Sequence, residues 1–306
     1  MTDRLRSVGR LFAGGLMSIL FLTLLFLLAA VPYWERLRAF LIRDHGAEVG
    51  SFMGGYFGAI FALLGAVLFY AALKSQTRSA QLQSFENKYV ELIKIHRDNV
   101  AEVDLAGASG RKLFVLLLRE LRCLLVIVRK IAATSGQQLS NENIMHVAYY
   151  CLFYGVGPNS SRMLRASLSK FDAAFVDALE RELDVDETKK KIQEERNLGY
   201  KPFEGHQSRL GHYYRHLYQM IKYVDSQPID AGKKYEYMKT IRAQLSTHEQ
   251  AMLLVNSRTP IGQNWWTKEF IVRYRLVQNI PEDFFLQSEI DMSKLFHPYY
   301  FEWEEA

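Results

Sequence analysis

The sequence predicts an all-α protein: two N-terminal transmembrane helices, a membrane-proximal stalk helix and a cytosolic helical domain. Three observations carry this expectation. Leu11–Val31 and Ser51–Leu73 contain no charged residue, and each is long enough as a helix to cross roughly 30 Å of hydrocarbon. Beyond them, apolar residues recur at three- and four-residue spacing, the period of a half-buried helix. Only 7 prolines occur in 306 residues and glycine thins out after the apolar stretches, which disfavours a β meander.

Taken in order, residues 1–10 form a cytosolic N-terminal segment, 11–31 the first span, 32–50 a short external loop and 51–73 the second span. Tyr33 and Trp34 sit where an interfacial aromatic anchor belongs. Orientation follows from Lys and Arg. Arg4, Arg6 and Arg10 precede the first span and Lys74, Arg78, Lys88, Lys94 and Arg97 follow the second, against Arg36, Arg38 and Arg43 between them. The excess on the outer flanks predicts both termini in the cytoplasm of a bacterial inner-membrane protein. A cleaved signal peptide would have a shorter apolar core than Leu11–Val31. A third span at Leu113–Val128 is disfavoured because Arg119, Glu120 and Arg122 interrupt it. Gly54, Gly58, Ala62 and Ala66 lie four residues apart on one ridge of the second span, a surface that lets another helix approach, within the hairpin or between subunits; a homo-oligomer is among the expected partners.

The second span continues into a stalk over residues 74–106, where Leu82, Phe85, Tyr89, Leu92, His96 and Val103 mostly keep three-four spacing. Residues 107–306 form the cytosolic domain. Its helices are expected over Arg111–Ala133, Ile144–Tyr154 behind a cap at Ser140, Ser161–Leu183, His206–Val224, Lys233–Asn256 and from Trp265 to near Asn279. Asp184–Arg196 alternates acids and bases and reads as a solvated helix or linker. The net charge of +5 suits a face near anionic lipid and lacks the dense basic stripe of a nucleic-acid binder. Cys123 and Cys151 lie in apolar stretches and read as buried thiols in a reducing compartment.

His206–Val224 is the most informative segment. Leu210, Tyr214, Leu217, Ile221 and Val224 share one arc of a helix and form a core face, while Arg209, His212, Tyr213 and His216 fall on an adjoining edge. His212 and His216 are spaced to share a metal, yet Tyr213 stands where the metalloprotease pattern needs Glu, so no metal is expected. Six residues separate Arg209 from His216, the loose Arg-x4-6-His spacing of HEPN-type ribonucleases. There His serves as general acid or base and Arg stabilises the phosphorane. Against this stand a purely structural reading, in which the tyrosines and histidines place polar tips at a helix interface, and a reading in which the cluster contacts a phosphate or nucleotide. No Walker loop, dinucleotide glycine motif or nucleophile elbow occurs. The chain therefore has no mark of an ordinary ATPase, dehydrogenase or hydrolase, and no cofactor is expected.

The run from Phe203 to Tyr218, with Ile221-Lys222-Tyr223-Val224, resembles the signature of the putative phage abortive infection protein family. A second block, Tyr237-Met238 and Arg242–Ser246 with Glu249 and Leu253–Asn256, extends the resemblance over residues 201–279. The resemblance implies a bacterial anti-phage role in which infection is detected and the host cell is disabled before progeny emerge. It also marks His206, Gln207, Arg209, His212, Tyr213, Arg215 and His216 as candidate functional positions. The leading expectation is a membrane-anchored defence effector, partnered by the lipid bilayer, by further copies of itself and by a phage-derived trigger or signal molecule. The alternatives are a membrane-tethered ribonuclease using Arg209 and His216, with RNA as its substrate, and a non-catalytic oligomeric scaffold or receptor.

Overall fold

The computed structural model describes residues 36, 39, 46–105, 108–157, 160–286, 289–298 and 300–304. The expected first span, Leu11–Val31, and nearly all of the loop before Gly46 lie outside these residues. Helix makes up 73% of the structure and strand almost none. The chain divides into two units, Met1–Gln83 and Ser84–Ala306.

In the first unit the described chain is the beginning of α1, Gly46–Glu102. Every side chain from Ser51 to Ala80 is exposed, including Phe52, Phe61, Leu63, Leu68, Phe69 and Tyr70. Among the described residues nothing lies within 4 Å of where a Cβ would stand on Gly54 or Gly58. Among the described residues this is the helix long and apolar enough to cross a membrane.

In the second unit, the C-terminal part of α1 leads through a minimal antiparallel hairpin, β1 (Asp104–Leu105) and β2 (Ala108–Ser109), into α2 (Arg111–Thr134). α2 is strongly amphipathic. Leu113, Phe114, Leu117, Leu121, Leu124 and Val128 are buried at three-four spacing, and this face packs on α3 (Asn141–Tyr154). α3 starts where Ser140 accepts a hydrogen bond from the Asn143 amide at 3.2 Å, and every residue from Ile144 to Phe153 is buried. A helix apolar on all sides belongs at the centre of a domain. α9 (Thr247–Arg258) is also buried on all sides from Glu249 to Ser257, polar residues included, and packs on both α2 and α3.

Around this centre lie α4 (Ser161–Ser167), α5 (Ala173–Asp184), α6 (Asp186–Glu195), α7 (Gln207–Asp225) and α8 (Ala231–Arg242). The short helices α10 (Asn264–Thr267), α11 (Phe270–Arg273) and α12 (Met292–Leu295) follow. The stalk residues Phe85 and Tyr89 are buried. Phe85 meets Tyr237 edge-on, with ring centroids 4.9 Å apart, and Tyr89 donates to the Tyr237 carbonyl at 2.7 Å.

Three expected helices are corrected. Ser161–Leu183 is two helices, because Asp172 caps a fresh start by accepting from the Phe175 amide at 3.1 Å. Lys233–Asn256 is also two, because Ser246 and Glu249 form a reciprocal capping box at the head of α9. The helix expected after Trp265 is reduced to single turns, separated at Glu269, whose φ of 57° is left-handed. The charge-rich stretch after Asp184 is helical, with Ile192 buried beneath it.

The ends of the excursion that carries α4, α5 and α6 meet closely. The Val156 amide donates to the Phe203 carbonyl at 2.7 Å, and the His206 amide reaches the carbonyls of Leu152 at 3.1 Å and Phe153 at 3.0 Å. At this crossing Gly155 has φ +75° and Gly205 φ +86°, and a Cβ on Gly205 would stand 2.1 Å from the Tyr154 carbonyl oxygen. Backbone cannot yield as a flexible side chain can. Gly205→Ala is therefore expected to cost at least about 3 kcal/mol. Gly136→Ala, where φ is +69° but the space is open, should cost only about 1 kcal/mol. Denaturant unfolding of the full chain in detergent reads the difference; equal losses would show that crowding at the crossing is unimportant.

Candidate functional site

α7 carries the candidate positions, and its placement begins with a carboxylate on another helix. Glu120, in the middle of α2, is fully buried. An ionised carboxylate there must be met by donors. It accepts from the Tyr200 hydroxyl at 2.7 Å, the Phe203 amide at 2.7 Å and His206 Nε2 at 2.9 Å. The loop before α7 is thereby clamped onto α2, and Phe203 is held at a left-handed φ of 67°. Burial, followed by the charge and hydrogen bond of Glu120, raises the Tyr200 hydroxyl far above its ordinary range, so it stays a donor.

Helical periodicity then sets the rest. Leu210, Tyr214, Leu217, Ile221 and Val224 are buried, as the core face requires. Tyr213 is corrected from edge to core: it is 1% exposed and donates to Glu249 Oε1 at 3.2 Å. Glu249 is itself fully buried. Its Oε2 accepts from the Ser246 amide at 2.8 Å and stands 3.6 Å from Arg111 Nε. Burial and this carboxylate push the Tyr213 hydroxyl well above its usual pKa.

His216 turns toward the stalk. Its ring lies nearly parallel to that of His96, with centroids 5.9 Å apart, and both nitrogens of each ring are buried without a hydrogen-bond partner. His96 also faces Tyr213, at 5.4 Å. Burial first, then the neighbouring His216 and Arg111, push His96 down to about 4. Burial and His212 lower His216 as well. The pair is neutral at physiological pH.

The remaining candidates separate. Arg209 donates from Nε to the Asp104 carbonyl at 2.9 Å, tying α7 to β1. Gln207, His212 and Arg215 are exposed. Arg209 thus has one donor, Nε, engaged by backbone, while both His216 imidazole nitrogens are covered. The Glu120–His206 pair has the composition of a general-base dyad, but His206 is 2% exposed, so it serves as a staple. Among the described residues no three metal-ligating side chains gather.

Periodicity did not reveal Glu120, Glu249, His96 or Tyr200 as the partners of these positions. Glu120 carried a signal, a carboxylate inside an apolar helix.

Two outcomes are expected. Glu120→Ala strands three buried donors and should cost about 3–5 kcal/mol, whereas Arg209→Ala removes one exposed contact and should cost about 1 kcal/mol or less; similar losses in urea unfolding would refute the clamp. The second concerns pH. A histidine whose folded pKa is depressed holds fewer protons in the folded than in the unfolded state between the two values. Its contribution is therefore complete above about 6.5 and is lost as pH falls toward 4. For His96 that loss is about 3 kcal/mol, and His96→Leu should flatten the acid side of the stability curve measured between pH 7.5 and 4. An unchanged slope would show that His96 does not titrate this way.

No curated protein and no solved structure matches this chain. Residues 205–285, which include all of α7, α8 and α9, match the family described as putative phage abortive infection protein.

Proposed function

We propose that this chain is a membrane-anchored anti-phage defence effector that acts by abortive infection, its helical unit sensing infection or a signal molecule and disabling the host through the membrane or a partner. The observation that carries the reading is a pairing within one chain. A helical unit matching the abortive infection family over residues 205–285 is joined to a helix whose apolar stretch is wholly uncovered from Ser51 to Leu73. Monomeric soluble proteins rarely leave so continuous an apolar surface in water, and lipid is the solvent that suits it.

The same reading takes Leu11–Val31 as the first span and keeps both termini in the cytoplasm of a bacterial inner membrane. Gly54, Gly58, Ala62 and Ala66 form its helix-pairing ridge, and the space that the described residues leave open beside Gly54 and Gly58 is room for a neighbouring helix from the same hairpin or from another copy.

One design tests anchoring and activity together. The native chain should remain in the membrane pellet after alkaline carbonate and reduce phage plaquing. Leu64→Arg, which puts a charge costing about 3 kcal/mol at mid-span, should weaken both. Gly58→Leu should disrupt oligomers and protection while leaving insertion intact. Membrane potential and RNA integrity are followed in the same infected cultures. Depolarisation with intact RNA is expected; protection by a protein that washes off with carbonate would end the proposal.

A further inference from the structure

Away from α7, the second unit holds a cavity of about 460 Å³ where the start of α2, the end of α8 and the start of α9 meet. Arg111, Lys239, Arg242, Thr247, Gln250 and Asn279 are among its lining residues. Three cations from two helices thus face one space, with Glu302 as the carboxylate on its wall.

Arg242 is the decisive side chain. It is 6% exposed, and its hydrogen bonds run from Nη1 alone, to the carbonyls of Tyr274 at 3.4 Å and Arg275 at 3.2 Å. No carboxylate among the described residues forms an ion pair with it. A guanidinium presents five donors and is costly to bury without an anion, so two long bonds to neutral oxygens leave most of its donor capacity unused. The Lys239 ammonium also has no ion pair among the described residues. Arg111 is partly engaged, donating to the Gln244 carbonyl at 2.8 Å and facing Glu249 at 3.6 Å.

The head of α9 adds neutral donors. Its capping box satisfies the Glu249 amide through Ser246, whereas the amides of Thr247 and His248, in the first turn, have no acceptor within the helix. A planar fork, an ammonium and first-turn amides form the donor set that phosphoryl oxygens take. The volume lies within the range of small-ligand sites, about 300–1,000 Å³.

We infer that this cavity binds the phosphate group of a small phosphate monoester of nucleotide size, with Arg242 and Lys239 as its charged contacts. The inference goes beyond the proposed function and needs neither membrane anchoring nor defence activity to hold.

The test uses the full chain in neutral detergent. Inorganic phosphate, adenosine monophosphate and short-chain dihexanoyl phosphatidic acid are the probes, titrated by calorimetry and by thermal shift. Phosphate and the nucleotide should bind and raise the melting temperature, and added salt should weaken both effects. Lys239→Glu, on an exposed side chain, should weaken binding at least about tenfold. Lys233→Glu, at the other end of α8, should leave it unchanged. Arg242→Gln should abolish binding where the variant still unfolds cooperatively, and Lys239→Glu decides the matter if it does not. Tighter binding of the lipid than of the nucleotide would assign the same phosphate site to a headgroup. Binding of no probe at millimolar concentration, or equal weakening by both lysine variants, would overturn the inference.

Discussion

A carboxylate with no access to water is the constraint on which the helical unit depends. Glu120 occupies the middle of the most apolar face of α2, where an ion is tolerable only if donors converge on it. Its three donors all come from the segment Tyr200–His206. Satisfying one buried charge therefore fixes where that segment lies and in which rotational phase α7 begins. Tyr213 reaches Glu249, and His216 reaches His96, because α7 starts where Glu120 holds it.

Glu249 repeats the logic from α9. It caps its own helix, receives the Tyr213 hydroxyl and faces Arg111. α7 and the loop before it are thus tied to two buried carboxylates on two central helices. Such pairs add little to net stability compared with well-packed hydrocarbon, but removing one partner is expensive. Their effect is to make one register of α7 much better than its neighbours. The polar residues that make this segment distinctive as a sequence are largely spent on that task, and the exposed Gln207, His212 and Arg215 are what it offers to solvent.

Much of this was legible from local signals. The bounds of α2, the cap at Ser140 and the core arc of α7 follow from apolar spacing and from short-range hydrogen bonds that a sequence displays. Periodicity misled where a turn left the apolar rhythm nearly intact, as between α4 and α5 and between α8 and α9. The Ser246-x-x-Glu249 capping box is present in the chain, but three-four spacing runs through it. Tyr213 was misplaced for a different reason. A tyrosine at the edge of an apolar arc enters the core only if its hydroxyl has a partner there, and that partner lies on α9. The same holds for Glu120, whose donors are far away in sequence, and for the neutral stack of His96 on His216. Long-range pairing of polar groups is set by the fold, and composition along one helix does not encode it.

The crossing of Gly155 and Gly205 closes the intervening chain into a lobe with a narrow neck. Because entry and exit touch, the length of chain between them can change without separating the end of α3 from the start of α7. The family match begins at residue 205, at the exit of that neck. The matched residues therefore start where the backbone has returned to the end of α3, with the whole excursion already closed behind them.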